Sequence, residues 1–255
     1  MVDKWLNYIL SSCLPQPCVV CGGLRTSPTS PGLCSGCKQE LPVLGDCCLG
    51  CSNPLDDMRS LMGQHPWSQL VQTRYCGHCL TKPPCYDRSI CFFPYRPPFN
   101  QLVTALKFSG TLAHARLLGQ LFAEQLAMTL DDDETRPDII IPVPLHATRL
   151  RQRGFNQSLE IARPIAKQLS IPLRSNLVQR RRATEPQSSL NLKQRRKNIR
   201  GAFTVTSTIN HTHVAILDDV MTSGATVDAL ANTLKRHGVE TVSVWCLCRA
   251  LPLSK

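Results

Sequence analysis

The order of apolar and polar positions divides the chain into two unlike parts. In the second part, PDIIIPVPL, Pro137 to Leu145, and VAIL, Val214 to Leu217, are continuous apolar runs of strand length, as strands covered on both faces of a parallel sheet require. RSICFFPY reads as a further short strand. Between Phe99 and Leu130, the residues Leu102, Leu106, Leu117, Leu121 and Leu126 fall at helical spacing, interrupted by KFSGT, which predicts two helices joined by a short turn. Lys107 and His114 are expected on solvated faces of these helices. A further helix is predicted from Phe155 to Leu169, kinked or short of one hydrogen bond at Pro164. Leu177 to Phe203 is polar, basic and turn-rich, which predicts a loop between two strands that orders on binding.

The first part lacks such periodicity. It is rich in Gly, Pro and Ser, as in LRTSPTSPGLC and SNPLDDMRSLMGQHPW, and buries too little apolar surface to order itself. Cysteine supplies what is missing. Of fourteen cysteines, twelve lie between Cys13 and Cys91, and eight form the CxxC pairs Cys18/Cys21, Cys34/Cys37, Cys48/Cys51 and Cys76/Cys79. A CxxC turn aims two thiolates at one tetrahedral ion, and two turns close a structural zinc site. Sequential pairing into two zinc ribbons is the simplest partition, with a crossed pairing as the alternative. Cys47 adjoins a ligand and could replace Cys48 by a slip of register. Cys13, Cys85, Cys91, Cys246 and Cys248 are expected as buried small apolar residues. The boundary is placed at TKPPCYD, giving a zinc-ribbon region with a short N-terminal helix at 1–85 and an α/β domain at 86–255.

Net charge is +11 over 255 residues, which favours polyanionic partners such as phosphorylated metabolites or nucleic acid. No apolar run reaches membrane-spanning length. The first residues resemble an amphipathic helix more than a secretory signal, so a cytoplasmic location is expected.

The chemistry concentrates after Val214. Asp218 and Asp219 are expected at the exit of the strand, followed by a turn of small residues, Thr222, Ser223, Gly224, Ala225 and Thr226, and an amphipathic helix. Amides and hydroxyls of such a turn, at the positive end of a helix, suit a phosphate monoester. Two carboxylates beside it can accept hydrogen bonds from vicinal hydroxyls, as on a ribose 5-phosphate. The chain contains no GxxxxGK[ST], which excludes a nucleoside-triphosphate loop of that kind.

This stretch resembles the phosphoribosyl pyrophosphate signature of type I phosphoribosyltransferases. The blocks PVPL, RGFNQ, RRRATEPQ, RRKNIRGAF and DDVMTSGAT, in this order behind a double zinc ribbon, resemble over essentially the whole chain the ComF family of competence and DNA-utilisation proteins, which includes GntX. The resemblance implies a type I phosphoribosyltransferase-like parallel sheet with flanking helices. It implies that Asp218 and Asp219 hold the ribose hydroxyls and Thr222 to Thr226 the 5-phosphate. It places a basic loop of Arg149, Arg151, Arg153 and Gly154 near pyrophosphate and its magnesium, and Arg180, Arg182, Gln187, Arg195 and Asn198 in a mobile hood. Three functions stay open: phosphoribosyl transfer, single-stranded DNA binding through the ribbons and the Arg181 to Arg200 stretch together with other DNA-uptake proteins, and ligand sensing.

Overall fold

The described residues of the computed structural model are 17–24, 32–55, 75–130, 136–182, 199 and 201–251. The expected N-terminal helix, together with Gln187, Arg195 and Asn198, lies outside them. In chain order the elements are α1 (Ser35–Gln39), α2 (Gly77–Thr81), β1 (Arg88–Pro94), α3 (Phe99–Ser109), α4 (Leu112–Ala127), β2 (Ile139–Pro142), α5 (Ala147–Arg153), α6 (Gln157–Leu169), β3 (Val178–Arg180), β4 (Phe203–Val205), β5 (His213–Met221), α7 (Ala225–Lys235) and β6 (Thr241–Arg249).

A parallel sheet in the order β1-β6-β5-β2 forms the centre. Alternation along each strand builds two cores. Ile139, Ile141, Val214, Ile216, Val242 and Val244 meet Val227, Leu230 and Leu234 of α7. Ile140, Ala215, Leu217, Trp245 and Leu247 meet α3, α4 and α6 through Leu102, Leu118, Phe122 and Ile161. The sheet is therefore covered on both faces, which is why its strands read as unbroken apolar runs. β3 and β4 form a separate antiparallel pair that flanks the basic segment between them.

The break between α3 and α4 falls at Gly110, whose φ of +64° ends the first helix, so KFS belongs to α3 rather than to the turn. Helix α6 runs through Pro164 to Leu169, and the proline ring is used in packing. A Cβ on Gly119 of α4 would lie 2.4 Å from both the Ile161 carbonyl oxygen and Pro164 Cγ. The two helices approach closely because Gly119 carries no side chain.

The cysteine-rich region covers the outer edge of β1. Leu44 N–H donates to Phe92 O at 2.7 Å, Ser89 N–H donates to Leu49 O at 2.6 Å, and the buried hydroxyls of Ser52 and Ser89 lie 2.8 Å apart. Those bonds satisfy backbone groups that an uncovered edge strand would expose. Leu33 enters the core beside Leu117, and Lys38 meets Glu124 at 2.9 Å. The ion pair is exposed and adds little.

Gly119→Ala should destabilise the protein by about 3 kcal/mol, because the new methyl meets a backbone oxygen that cannot yield without separating α4 from α6. Urea denaturation followed by circular dichroism measures it.

Candidate functional site

β5 continues four residues beyond Leu217, so Asp218 and Asp219 stand inside the strand rather than after its exit. Pairing with β6 carries it on, Asp218 opposite Cys246 and Val220 opposite Cys248. Asp219 shares the face of Ala215 and Leu217, and from the helical layer on that face Lys107 of α3 extends its ammonium to Asp219 Oδ2. Lys107 is thus not on a solvated face as its spacing suggested; its side chain is 23% exposed and Asp219's is 6% exposed. Asp218 Oδ1 accepts from Ser158 Oγ at 3.1 Å and from Asp219 N–H at 2.9 Å.

These neighbours separate the two acids. Burial, and then the adjacent Asp219 charge, push the Asp218 carboxyl up to about 7. Burial also works against Asp219, but the Lys107 ammonium outweighs it and holds that carboxyl below its ordinary value. Lys107 in turn is desolvated, yet the facing carboxylates hold it above the usual lysine value. His114 is half-buried, and burial lowers it.

The basic loop expected after β2 is a helix, α5, capped at its start by His146, whose Nδ1 accepts from Thr148 N–H at 3.3 Å. Arg149 and Arg153 are four residues apart and share the face toward the acids, while Arg151 projects from the other side and is exposed. Gly154 ends α5 with φ +80°. The residues after it do structural work that the motif alone did not reveal. Asn156 Oδ1 caps α6 through Ser158 N–H and Leu159 N–H, and its Nδ2 donates to Val143 O at 3.0 Å, tying α6 to the end of β2. Gln157 Oε1 accepts from Arg153 Nη1 at 2.5 Å, and Ser158 holds Asp218. RGFNQS therefore orients one arginine and one carboxylate through successive side chains.

The small-residue turn passes from β5 to α7 through Gly224, whose φ of +73° is the left-handed conformation that favours glycine, and Ser223 Oγ accepts from Ala225 N–H, the first amide of the helix, at 3.4 Å. Two supports hold it. Buried Arg249, at the end of β6, donates through Nη1 to Met221 O at 2.8 Å and to Thr222 O. Tyr86 lies beneath, its Oη 3.5 Å from where a Gly224 Cβ would stand. Arg249 and Tyr86 were not singled out in the sequence; their only signal was position, at the ends of two apolar runs.

A cavity of about 390 Å³ brings together Asp218, Asp219, Thr222, Gly224, Ala225, Thr226, Arg149, Arg153, Arg180 and Lys107. Arg180 also lies over the Phe203 ring at 5.7 Å. Ser223 lines instead a second cavity of about 880 Å³ between α7 and the cysteine-rich region. Arg151, Gly154 and Arg182 do not line the 390 Å³ cavity.

The cysteines collect into two tetrads in sequential order, Cys18, Cys21, Cys34, Cys37 and Cys48, Cys51, Cys76, Cys79, with the sulfurs of each set within 4.8 Å of one another. Four thiolates around a zinc ion at about 2.3 Å stand about 3.8 Å apart. The Sγ separations of 3.8 Å for Cys21 and Cys34 and 3.6 Å for Cys51 and Cys76 fit that tetrahedron. Each tetrad joins a tight knuckle, with positive φ at Gly22 or Ser52, to a five-residue helix whose N-cap is Cys34 or Cys76. Cys47 stays outside its tetrad, in a bridge to Pro54. Cys91, Cys246 and Cys248 are buried, whereas Cys85 is exposed, and its backbone N–H donates to Asp228 Oδ1 of α7 at 2.7 Å. The second tetrad touches the turn's support: Tyr86 Oη donates at 2.6 Å to the carbonyl of Gly50, between Cys48 and Cys51.

Residues 155–252 match the phosphoribosyl transferase domain family. The chain is 36% identical to DNA utilization protein YhgH of Salmonella typhimurium over 88% of its length and 99% of that protein's. It is 30% identical to competence protein F of Haemophilus influenzae over 91% of its length and 96% of the relative's. Among solved structures it is similar to a purine phosphoribosyltransferase of Pyrococcus horikoshii, at 20% identity and a TM-score of 0.29, covering 50% of this chain and 70% of that one.

Asp218→Asn keeps both accepted hydrogen bonds and removes a charge that burial opposes. A carboxyl held above its unfolded value binds more protons when folded, so its ionisation costs stability as pH rises from about 4 through about 7. The gain in melting temperature of Asp218→Asn over wild type should therefore be larger at pH 8 than at pH 5, measured by scanning calorimetry.

Proposed function

Because this chain belongs to the ComF family, we propose that it acts in DNA uptake or utilisation in the cytoplasm, binding phosphoribosyl pyrophosphate or a related nucleotide and transferring the phosphoribosyl group to an acceptor. What carries the reading is the convergence in one cavity of two strand-borne carboxylates, the start of a helix after a glycine turn, and two arginines on a facing helix. In this reading Asp218 and Asp219 accept the ribose hydroxyls, and Lys107 shifts to share Asp219 with them. The amides and hydroxyls of Thr222 to Thr226 hold the 5-phosphate at the positive end of α7. Arg149 and Arg153 take the pyrophosphate, where a planar guanidinium matches two phosphate oxygens at once.

Departure of pyrophosphate leaves positive charge on the ribose ring and concentrates negative charge on the leaving group. Magnesium, bound with the pyrophosphate, would neutralise part of that charge. The arginines stabilise the remainder. Zinc is assigned to both tetrads, where the sulfur geometry fits it.

Single-stranded DNA binding without turnover is the second reading, favoured by the net charge of +11. The two are separated by incubating the protein with phosphoribosyl pyrophosphate, magnesium and candidate bases. Steady pyrophosphate release supports transfer, and salt-dependent strand binding with no release supports the second.

Changing Asp218→Asn and Asp219→Asn together should weaken phosphoribosyl pyrophosphate by roughly a hundredfold or more, since two charge-assisted acceptors are lost. Calorimetry giving an unchanged dissociation constant would remove the ribose assignment. Elemental analysis should find two zinc ions per chain, and chelation should render the cysteine-rich region protease-sensitive.

A further inference from the structure

Arg249, at the end of β6, is only 6% exposed and does not line the carboxylate cavity. Among the described residues its side-chain hydrogen bonds all leave from Nη1 and all end on carbonyls, of Met221 at 2.8 Å, of Thr222, and of Ala250 at 3.0 Å. Its Nε meets no acceptor among those residues, and none of their carboxylates pairs with it. A guanidinium does not shed its proton in a protein, so a full positive charge stands in the interior, solvated by carbonyl dipoles but not neutralised. A buried charge of that kind is costly unless an opposite charge comes near it.

The carbonyls that Arg249 holds belong to the turn leading into α7. In a planar trans peptide the C=O and N–H point in opposite directions, so drawing Thr222 O back to the guanidinium turns Ser223 N–H away from it. Among the described residues no backbone hydrogen bond leaves from the N–H of Ser223 or Gly224. The turn is therefore fastened to a buried cation through its carbonyls, while its amides are left with donors to spend. Thr222, Gly224 and Ala225 line the carboxylate cavity, so the turn stands between that cavity and the cation. Successive free amides at the positive end of a helix make an anion seat, and this one has a fixed charge behind it.

We propose that Arg249 is the positioning residue of this seat and the source of its charge selectivity, orienting the amides and favouring a dianionic phosphate monoester over a singly charged group of the same shape. The inference rests on the reading of the turn as the 5-phosphate site. It narrows the ligand to one with a terminal phosphate, since a phosphodiester carries a single negative charge. The guanidinium acts across the turn and not by contact. At an effective dielectric constant of about 20 and a separation on the order of 10 Å, one unit of ligand charge corresponds to about tenfold in affinity.

Ribose 5-phosphate and ribose 5-sulfate share a shape, and at pH 7.5 the first carries about two negative charges and the second one. Calorimetry with both on the full chain, at that one pH, leaves the titration of Asp218 common to the two ligands. Wild type should bind the phosphate ester about tenfold more tightly or better. Arg249→Met keeps an apolar stem without the charge and should cut that ratio about tenfold. Arg249→Lys keeps the charge without the planar fork and should preserve the ratio while weakening both esters. A role in holding the turn alone would weaken the two esters alike and leave their ratio untouched. Equal binding of the esters by wild type, a ratio that survives in Arg249→Met, or one lost in Arg249→Lys would overturn the inference while leaving the phosphoribosyl reading intact. If Arg249→Met fails to fold, wild type and Arg249→Lys still decide it. Absence of ribose 5-phosphate binding to wild type would overturn that reading and the inference with it.

Discussion

Two adjacent carboxylates within the central strands of a sheet covered on both faces repel each other where little water can screen them, and this chain offsets the cost with one ammonium group. Lys107 comes from a helix whose other residues, Leu102, Val103 and Leu106, belong to the core, so the charge arrives by the same packing that closes the fold. Removing the lysine would leave Asp219 a buried unpaired charge, among the most destabilising changes a protein can suffer. The pair also divides labour. One acid stays ionised beside its cation; the other is shifted so far that its proton is exchangeable near neutrality.

Around that centre, each supporting residue answers a backbone or side-chain need created by its neighbour. Asn156 ties α6 to β2, Gln157 braces Arg153, Ser158 reaches Asp218, and Arg249 gathers the carbonyls where β5 gives way to the turn. None of these needs to touch a ligand in order to matter. They fix the angle at which the arginine, the acid and the turn face one cavity, and a site made of charges depends on such fixing because its energies change steeply with distance.

The sheet and its helices were legible because burial on both faces leaves an unambiguous apolar run, and α7 because its period is regular. The tetrads were legible for a different reason: CxxC spacing is itself geometry, and sequential pairing proved to be the arrangement present. Long-range contacts were not legible. Nothing local in ALKFSG distinguishes a lysine that meets solvent from one that meets Asp219 across the sheet, so Lys107 was misplaced. The acids were expected after the strand because charge normally ends an apolar run, and only pairing with β6 carries β5 past them. Arg151 was grouped with Arg149 and Arg153 as if in a loop. Once α5 is a helix, a spacing of two sends it to the other side.

Tyr86 gives the cysteine-rich region a reach beyond its own folding. Its hydroxyl donates to the carbonyl between Cys48 and Cys51, and the Gly50 backbone is so near Cys79 that a Cβ there would lie 2.9 Å from the sulfur. The same side chain underlies the turn at Gly224. One side chain thereby stands between the second tetrad and the backbone from which α7 starts.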